Sequence, residues 1–301
     1  MKKVSAGIFI AFILLSCSSK KGYKSDELLV KSIDSHHSIV ILKSTGEQAF
    51  EGTYTYIAPF DDGYAIVSDT TDQFGVIDST GTLILPIAYQ QLWYSGEDMF
   101  SFTENDRIGF IDSKGALRIP AIFGGNAGAR PRFSEGVCAV MDSTDTYITF
   151  INKDGKKVMD FTITGTMGGA GSYYFPEFHD GLAVAHKNYV FGYINHKGEW
   201  AIPPQFDNAH RFGDGLAAVR KKGEVFFIDT KGNRAIARSF GAIDEGCCGF
   251  DYGFFHKGRA QVNVDTSQKQ FDISDDRYDF SQLHWAVINK QGIIVDTAHW
   301  E

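Results

Sequence analysis

The chain has 301 residues, with 29 Lys and Arg against 37 Asp and Glu for a formal net charge of −8, a mildly acidic balance that leaves no electrostatic footprint for nucleic acid. Hydrophobic residues make up 43% and aromatics 14%, ample for a core. With 32 glycines, 7 prolines and apolar stretches dominated by Val, Ile, Phe, Tyr and Thr, the composition favours strands and turns, and only residues 25–32 suit a short helix.

The N-terminus carries Met1-Lys2-Lys3, an apolar run from Ile8 to Leu15, and Ser16-Cys17. This is the layout of a secretory signal peptide, and the run is too short to span a bilayer as a mature helix. The order Leu14-Leu15-Ser16-Cys17 resembles the bacterial lipobox. That resemblance implies removal of residues 1–16 and acylation of Cys17 by palmitate-class chains, each buried methylene contributing about 0.8 kcal/mol to membrane anchoring. Losing Lys2 and Lys3 takes the formal charge from −8 to −10 over the remaining 285 residues. Cys17 is followed by Ser18 rather than Asp, which by the same resemblance favours the outer membrane. Residues 17–35 read as the lipidated N-terminus and a flexible tether, and residues 36–301 as one repeat domain.

Self-similarity organises that domain. An apolar pair, Asp or Asn, two arbitrary residues and Gly recur at Val76-Ile77-Asp78-Ser79-Thr80-Gly81 and at the stretches ending in Gly115, Gly155, Gly198, Gly232 and Gly292, with a degenerate first copy ending in Gly46. Successive glycines are 35, 34, 40, 43, 34 and 60 residues apart, so a unit of about 34 carries insertions. Asp or Asn accepts backbone N–H groups further on, and Gly takes the left-handed conformation that closes a type I turn with a bulge. Consecutive apolar residues before each turn predict strands covered on both faces. A Phe-x-x-Gly signature, starting at Phe60, Phe133, Phe178, Phe212 and Phe255, precedes five of the hairpins, and proline marks the exits at Leu85-Pro86, Ile119-Pro120 and Ile202-Pro203.

The stretch from Phe178 to Asp207, with Gly192-Tyr193-Ile194-Asn195-His196-Lys197-Gly198 at its centre, resembles the WG repeat family, and the resemblance extends over nearly all of residues 36–297. The Trp-Gly pair that names the family stands here as Phe74-Gly75, Ile108-Gly109, Phe191-Gly192 and Trp285-Ala286, and is absent at Ile148-Thr149 and Val225-Phe226. The swaps keep a bulky apolar residue, so a packing role survives. The expected fold is all-β: a curved or coiled array of about seven three-stranded repeats, with a seven-bladed propeller as the alternative.

No H-E-x-x-H or G-x-S-x-G motif occurs, and Asp78, Asp112 and Asp229 are turn formers. His179 and His256 share one repeat position and are expected to be exposed turn residues. Asp265, Asp272, Asp275, Asp276 and Asp279 lack calcium-loop spacing, and Gly165–Ser172 lacks the lysine of a phosphate loop. Of Cys138, Cys247 and Cys248, the first is expected to be a buried hydrophobe, and no C-x-x-C pair signals zinc. No metal or cofactor is expected. Three insertions, at 124–132, 165–177 and 240–254, fall in equivalent intervals and would gather Arg130, Arg132, Tyr173, Tyr174, Phe175, Phe250 and Tyr252 on one loop-built face. The competing reading has those aromatics folding back over the array. The functional expectation is a non-enzymatic binding or scaffolding module at the cell envelope, held to the membrane by its lipid and taking a protein, peptide or glycan. The alternative is a hydrolase of envelope polymer using a pair among Asp265–Asp279 and Glu177.

Overall fold

The computed structural model describes residues 22–124, 130–144, 146–164, 175–241, 253–264 and 285–297. Strands and turns account for them apart from one 3-10 turn, Ser25–Glu27, which occupies part of the stretch suited to a helix. Seven antiparallel sheets follow one another along the chain, each a meander of sequence neighbours. The first pairs Leu28–Ser32 with Ser38–Leu42, so sheet structure begins ahead of residue 36, inside the stretch expected to be a tether. The second runs Tyr56–Ile57, Tyr64–Ser68, Phe74–Asp78 and Leu83–Tyr89. Sheets two to four hold four strands, a two- or three-residue leading strand such as Leu92–Tyr94 followed by three more; among the described residues sheets five and seven lack the leading strand, and sheet six has one, Asn208–Ala209, but no exit strand.

The hairpins form as their residue types dictate. Asp78 Oδ1 accepts the backbone N–H of Thr80 at 2.8 Å and of Thr82 at 2.9 Å, while Gly81 takes φ 76°. Asp112, Asn152, Asn195, Asp229 and Asn289 accept the same two N–H groups in their own units. Each turn also meets the unit before it: a β-carbon on Gly198 would lie 3.0 Å from Phe161 Cβ, and one on Gly232 3.2 Å from Ile202 Cγ2.

Consecutive apolar residues are explained by two-sided packing. In Leu182–Lys187, Ala183 and Ala185 face the fourth unit's core, whereas Leu182 and Val184 join Tyr193, Ala217 and Val219 between the fifth and sixth units. The Phe of four Phe-x-x-Gly signatures then packs on the central aromatic of the preceding unit: Phe133 on Phe110 with centroids 5.2 Å apart, Phe178 on Phe150 at 5.8 Å, Phe212 on Tyr193 at 4.7 Å and Phe255 on Phe227 at 5.1 Å. Such pairs contribute about 0.5–1.5 kcal/mol each beyond their buried area. In the third unit Ser95 takes the place of that Phe, and its hydroxyl bonds Ser101 Oγ at 2.8 Å within the core.

The glycine of the bulky-Gly pair has a separate reason. The exit strand shifts register against it, between Phe191↔Phe206 and Tyr193↔Ile202, and its prolines sit in that irregularity, where no ladder N–H is required. A β-carbon on Gly192 would lie 2.5 Å from the Ile202 carbonyl oxygen and 2.8 Å from Pro204 N. Gly75 and Gly109 face the same crowding from Leu85 O and Ala121 N, both at 2.8 Å.

Candidate functional site

The Phe-x-x-Gly turns stack directly on one another and place the candidate site. The residue before each turn glycine has positive φ, at Asp62, Glu135, Asp180 and Asp214, and its carboxylate reaches the next unit. Glu97 Oε1 accepts the N–H of Gly136 at 2.9 Å, Glu135 that of Gly181 at 3.1 Å, Asp180 that of Gly215 at 2.7 Å, and Asp214 that of Gly258 at 2.6 Å. Ser25 Oγ starts the ladder by accepting the N–H of Gly63 at 2.8 Å. Between the second and third units the rung changes chemistry: Tyr94 donates its hydroxyl to Asp62 at 2.9 Å and Tyr64 donates to Asp98 at 2.7 Å. Burial, ahead of the Asp62 bond, pushes the Tyr94 phenol up.

Immediately before each signature Phe, or Ser95 in the third unit, stands a residue of varying type: Tyr94, Arg132, Glu177, Arg211 and Phe254 in units three to seven. Three of the four consecutive pairs are in contact. The Arg132 guanidinium lies over the Tyr94 ring at 5.2 Å and donates to Asp61 at 2.8 Å. Burial opposes the Arg132 charge, but the Asp61 bond and, less strongly, the Glu177 carboxylate hold the guanidinium charged. Arg211 Nη1 is 3.6 Å from the Glu177 carboxylate, and its guanidinium lies over Phe254 at 4.5 Å. His179 Nε2 is 3.2 Å from the same carboxylate, and its ring meets Phe254 at 5.8 Å. Two of these contacts skip a unit: Asp61 belongs to the second and Arg132 to the fourth, His179 to the fifth and Phe254 to the seventh. The turns therefore converge on a shared mouth lined by aromatics and alternating charge. Arg132, Glu177 and Arg211 keep 34%, 19% and 25% side-chain exposure there, enough to meet a ligand and too little to be free in solvent.

The residues expected on an insertion face divide. Arg132 lies in the mouth, Arg130 is exposed, and Phe175 is 6% exposed, committed to the core with Phe178 and Ile148 rather than to a surface. Tyr173, Tyr174, Phe250 and Tyr252 lie outside the described residues, as do Cys17, Cys247, Cys248 and Asp265–Asp279. Cys138 is buried as expected, and burial raises its thiol well above the ordinary value. His256 is an exposed turn residue, but His179 is not: it is partly buried against Glu177 and Phe254. Sequence reasoning missed Tyr94, Asp61, Arg211 and Phe254. For Tyr94, Arg211 and Phe254 the available signal was the variable position before the repeating Phe or its Ser95 replacement; Asp61 stands after Phe60 and carried no such signal. Among the described residues no group of three or more His, Cys, Asp or Glu is placed to hold a metal ion, and no helix is long and apolar enough to cross a membrane.

Fold and site together define a tandem all-β repeat protein whose units differ where their inner turns meet. The family model for the WG containing repeat matches it at residues 42–69, 74–107 and 191–224. No curated protein matches the chain. Among solved structures it is similar to BamB from Moraxella catarrhalis, at 13% identity over 79% of each chain with a TM-score of 0.44. It is similar also to a eukaryotic initiation factor, at 10% identity over 91% of this chain and 85% of that one with a TM-score of 0.46. A third likeness is to AztD from Citrobacter koseri, at 12% identity over 90% and 93% with a TM-score of 0.38.

Proposed function

We propose that this protein is a binding module of the cell envelope, anchored through acylated Cys17, whose ligand seat is the mouth formed by the inner turns. The observation that carries the reading is the contrast within one chain. The signature Phe repeats because it packs, whereas the position before it presents Tyr94 against Arg132, and Arg211 in contact with Glu177 and Phe254, with the Glu177 charge within electrostatic reach of Arg132. Arginine backed by an aromatic ring, partly desolvated and set among complementary charges, is the residue combination that supplies much of the energy of recognition. A rigid array fixes those groups in advance and so lowers the ordering cost of binding.

A photo-crosslinking residue in place of Phe254 should give a discrete adduct in intact envelopes, lost when Arg132 and Arg211 are both changed to Gln. A crosslinker in place of the outward-facing Val158, 37% exposed, serves as the control. Equal adducts at both positions, or none at 254, contradict the seat. The anchor is tested separately: palmitate labelling should be present in the wild type and absent in Cys17→Ser.

A further inference from the structure

The hairpin joining Leu182–Lys187 to Val190–Asn195 turns through Asn188 and Tyr189, with φ 53° and 62°. Turns of this kind favour Gly, Asn or Asp at both positions, because a bulky β-carbon crowds the backbone there. The corresponding turns place such a residue at the second position, Asp106 after Asn105 in the third unit and Gly223 after Lys222 in the sixth. Tyr189 departs from the rule and also holds its ring 84% exposed, so it is unfavourable both for conformation and for hydration. Among the described residues its ring partner is His186, nearly parallel at 11° with centroids 5.9 Å apart, and His186 in turn meets Phe191 at 5.6 Å. His186 Nδ1 is buried without a hydrogen-bond partner, and burial lowers the basicity of the ring, so it remains neutral near pH 7. The result is a braced aromatic face at a hairpin tip, flanked by the exposed side chains of Lys187 and Asn188.

We infer that Tyr189, braced by His186, is a stacking platform for a saccharide ring, with Asn188 and Lys187 bonding its hydroxyls. A protein hot spot needs surrounding residues that exclude water from the anchor, and Tyr189 at 84% exposure has none. A pyranose needs only one flat aromatic face with polar groups beside it, which is what the tip supplies. The platform lies on a hairpin away from the inner turns and stands independently of the mouth.

The test uses the full chain purified in detergent, as wild type, Tyr189→Gly and Tyr189→Trp, titrated with tetrasaccharides of glucose, N-acetylglucosamine and mannose. At least one tetrasaccharide should bind the wild type saturably. Binding should weaken tenfold or more in Tyr189→Gly and return in Tyr189→Trp, while Tyr189→Gly melts at the same or a higher temperature because glycine relaxes the turn. Absence of saturable binding across the three sugars overturns the inference, as does unchanged affinity in Tyr189→Gly. A lower melting temperature for Tyr189→Gly would make the ring structural and overturn it equally.

Discussion

At Gly192 the absence of a side chain is demanded by the neighbouring backbone rather than by its own φ. Alanine there would set a β-carbon against the Ile202 carbonyl and Pro204, atoms that cannot rotate away, so Gly192→Ala should cost about 2–4 kcal/mol in denaturant unfolding. Gly198 is demanded by conformation instead, at φ 76° with Phe161 and Met159 close by, and Gly198→Val should cost about 2 kcal/mol or more. Unchanged unfolding in either variant would refute the corresponding reason. His210 supplies a residue-scale pH effect. Burial, with Arg211 and Arg220 nearby, lowers it from 6.5 to about 4. Above pH 6.5 both folded and unfolded chains hold it neutral. Between 6.5 and 4 the unfolded chain takes up a proton that the folded chain refuses, so stability falls with pH across that window by about 2–3 kcal/mol. His210→Gln should flatten the window. The hairpin carboxylates act lower: burial opposes ionisation of Asp112, but the N–H groups of Ala116 and Lys114 hold it below its ordinary value, so its contribution is lost only as pH falls beneath about 4.

Among the elements, the hairpins and the two-faced strands were legible in the sequence because each depends on contacts a few residues apart, Asp78 on Thr80 and Thr82 for example, or on a simple count of apolar neighbours. The carboxylate ladder was not. Asp180 and Gly215 are 35 residues apart, and Asp180 read alone is one more turn acid. The short leading strands escaped for another reason: two residues such as Phe133–Ser134 carry no periodicity. The ladder has a measurable role. Glu135 accepts the N–H of Gly181 and meets His196 Nε2 at 2.9 Å, so it ties the fourth unit to the fifth twice. Glu135→Ala should destabilise by about 1–2 kcal/mol and speed hydrogen exchange at the Gly181 amide, while Glu135→Gln retains most of the tie. If Glu135→Ala leaves exchange at Gly181 unchanged, the rung is decorative. At the last turn Lys257 stands where the other units carry the acceptor, so the ladder ends with the seventh unit.

For the whole molecule, composition and repeat length indicated a β array but left its curvature open, and only side-chain contacts between non-adjacent units decide it. Sheets packed face to face lie about 10 Å apart, so a straight stack would hold second and fourth units about 20 Å from each other at every level. Arg132 in the fourth unit nonetheless bonds Asp61 in the second at 2.8 Å, and His179 reaches Phe254 across the sixth. The inner turns must therefore draw together, which turns a row of equivalent positions into a single mouth. That convergence is the basis of the proposed seat, and it was invisible while Arg132 was grouped with the residues of the insertions. The most direct measurement is chemical crosslinking in a chain whose four native cysteines are replaced and whose Asp61 and Arg132 are changed to cysteine. A bismaleimide spanning about 8 Å should join the two within one molecule in high yield, because a straight stack with its spacing of about 20 Å lies beyond its reach. Failure to crosslink in the folded protein, with both thiols shown to be reactive singly, would contradict the converging array and the mouth built on it.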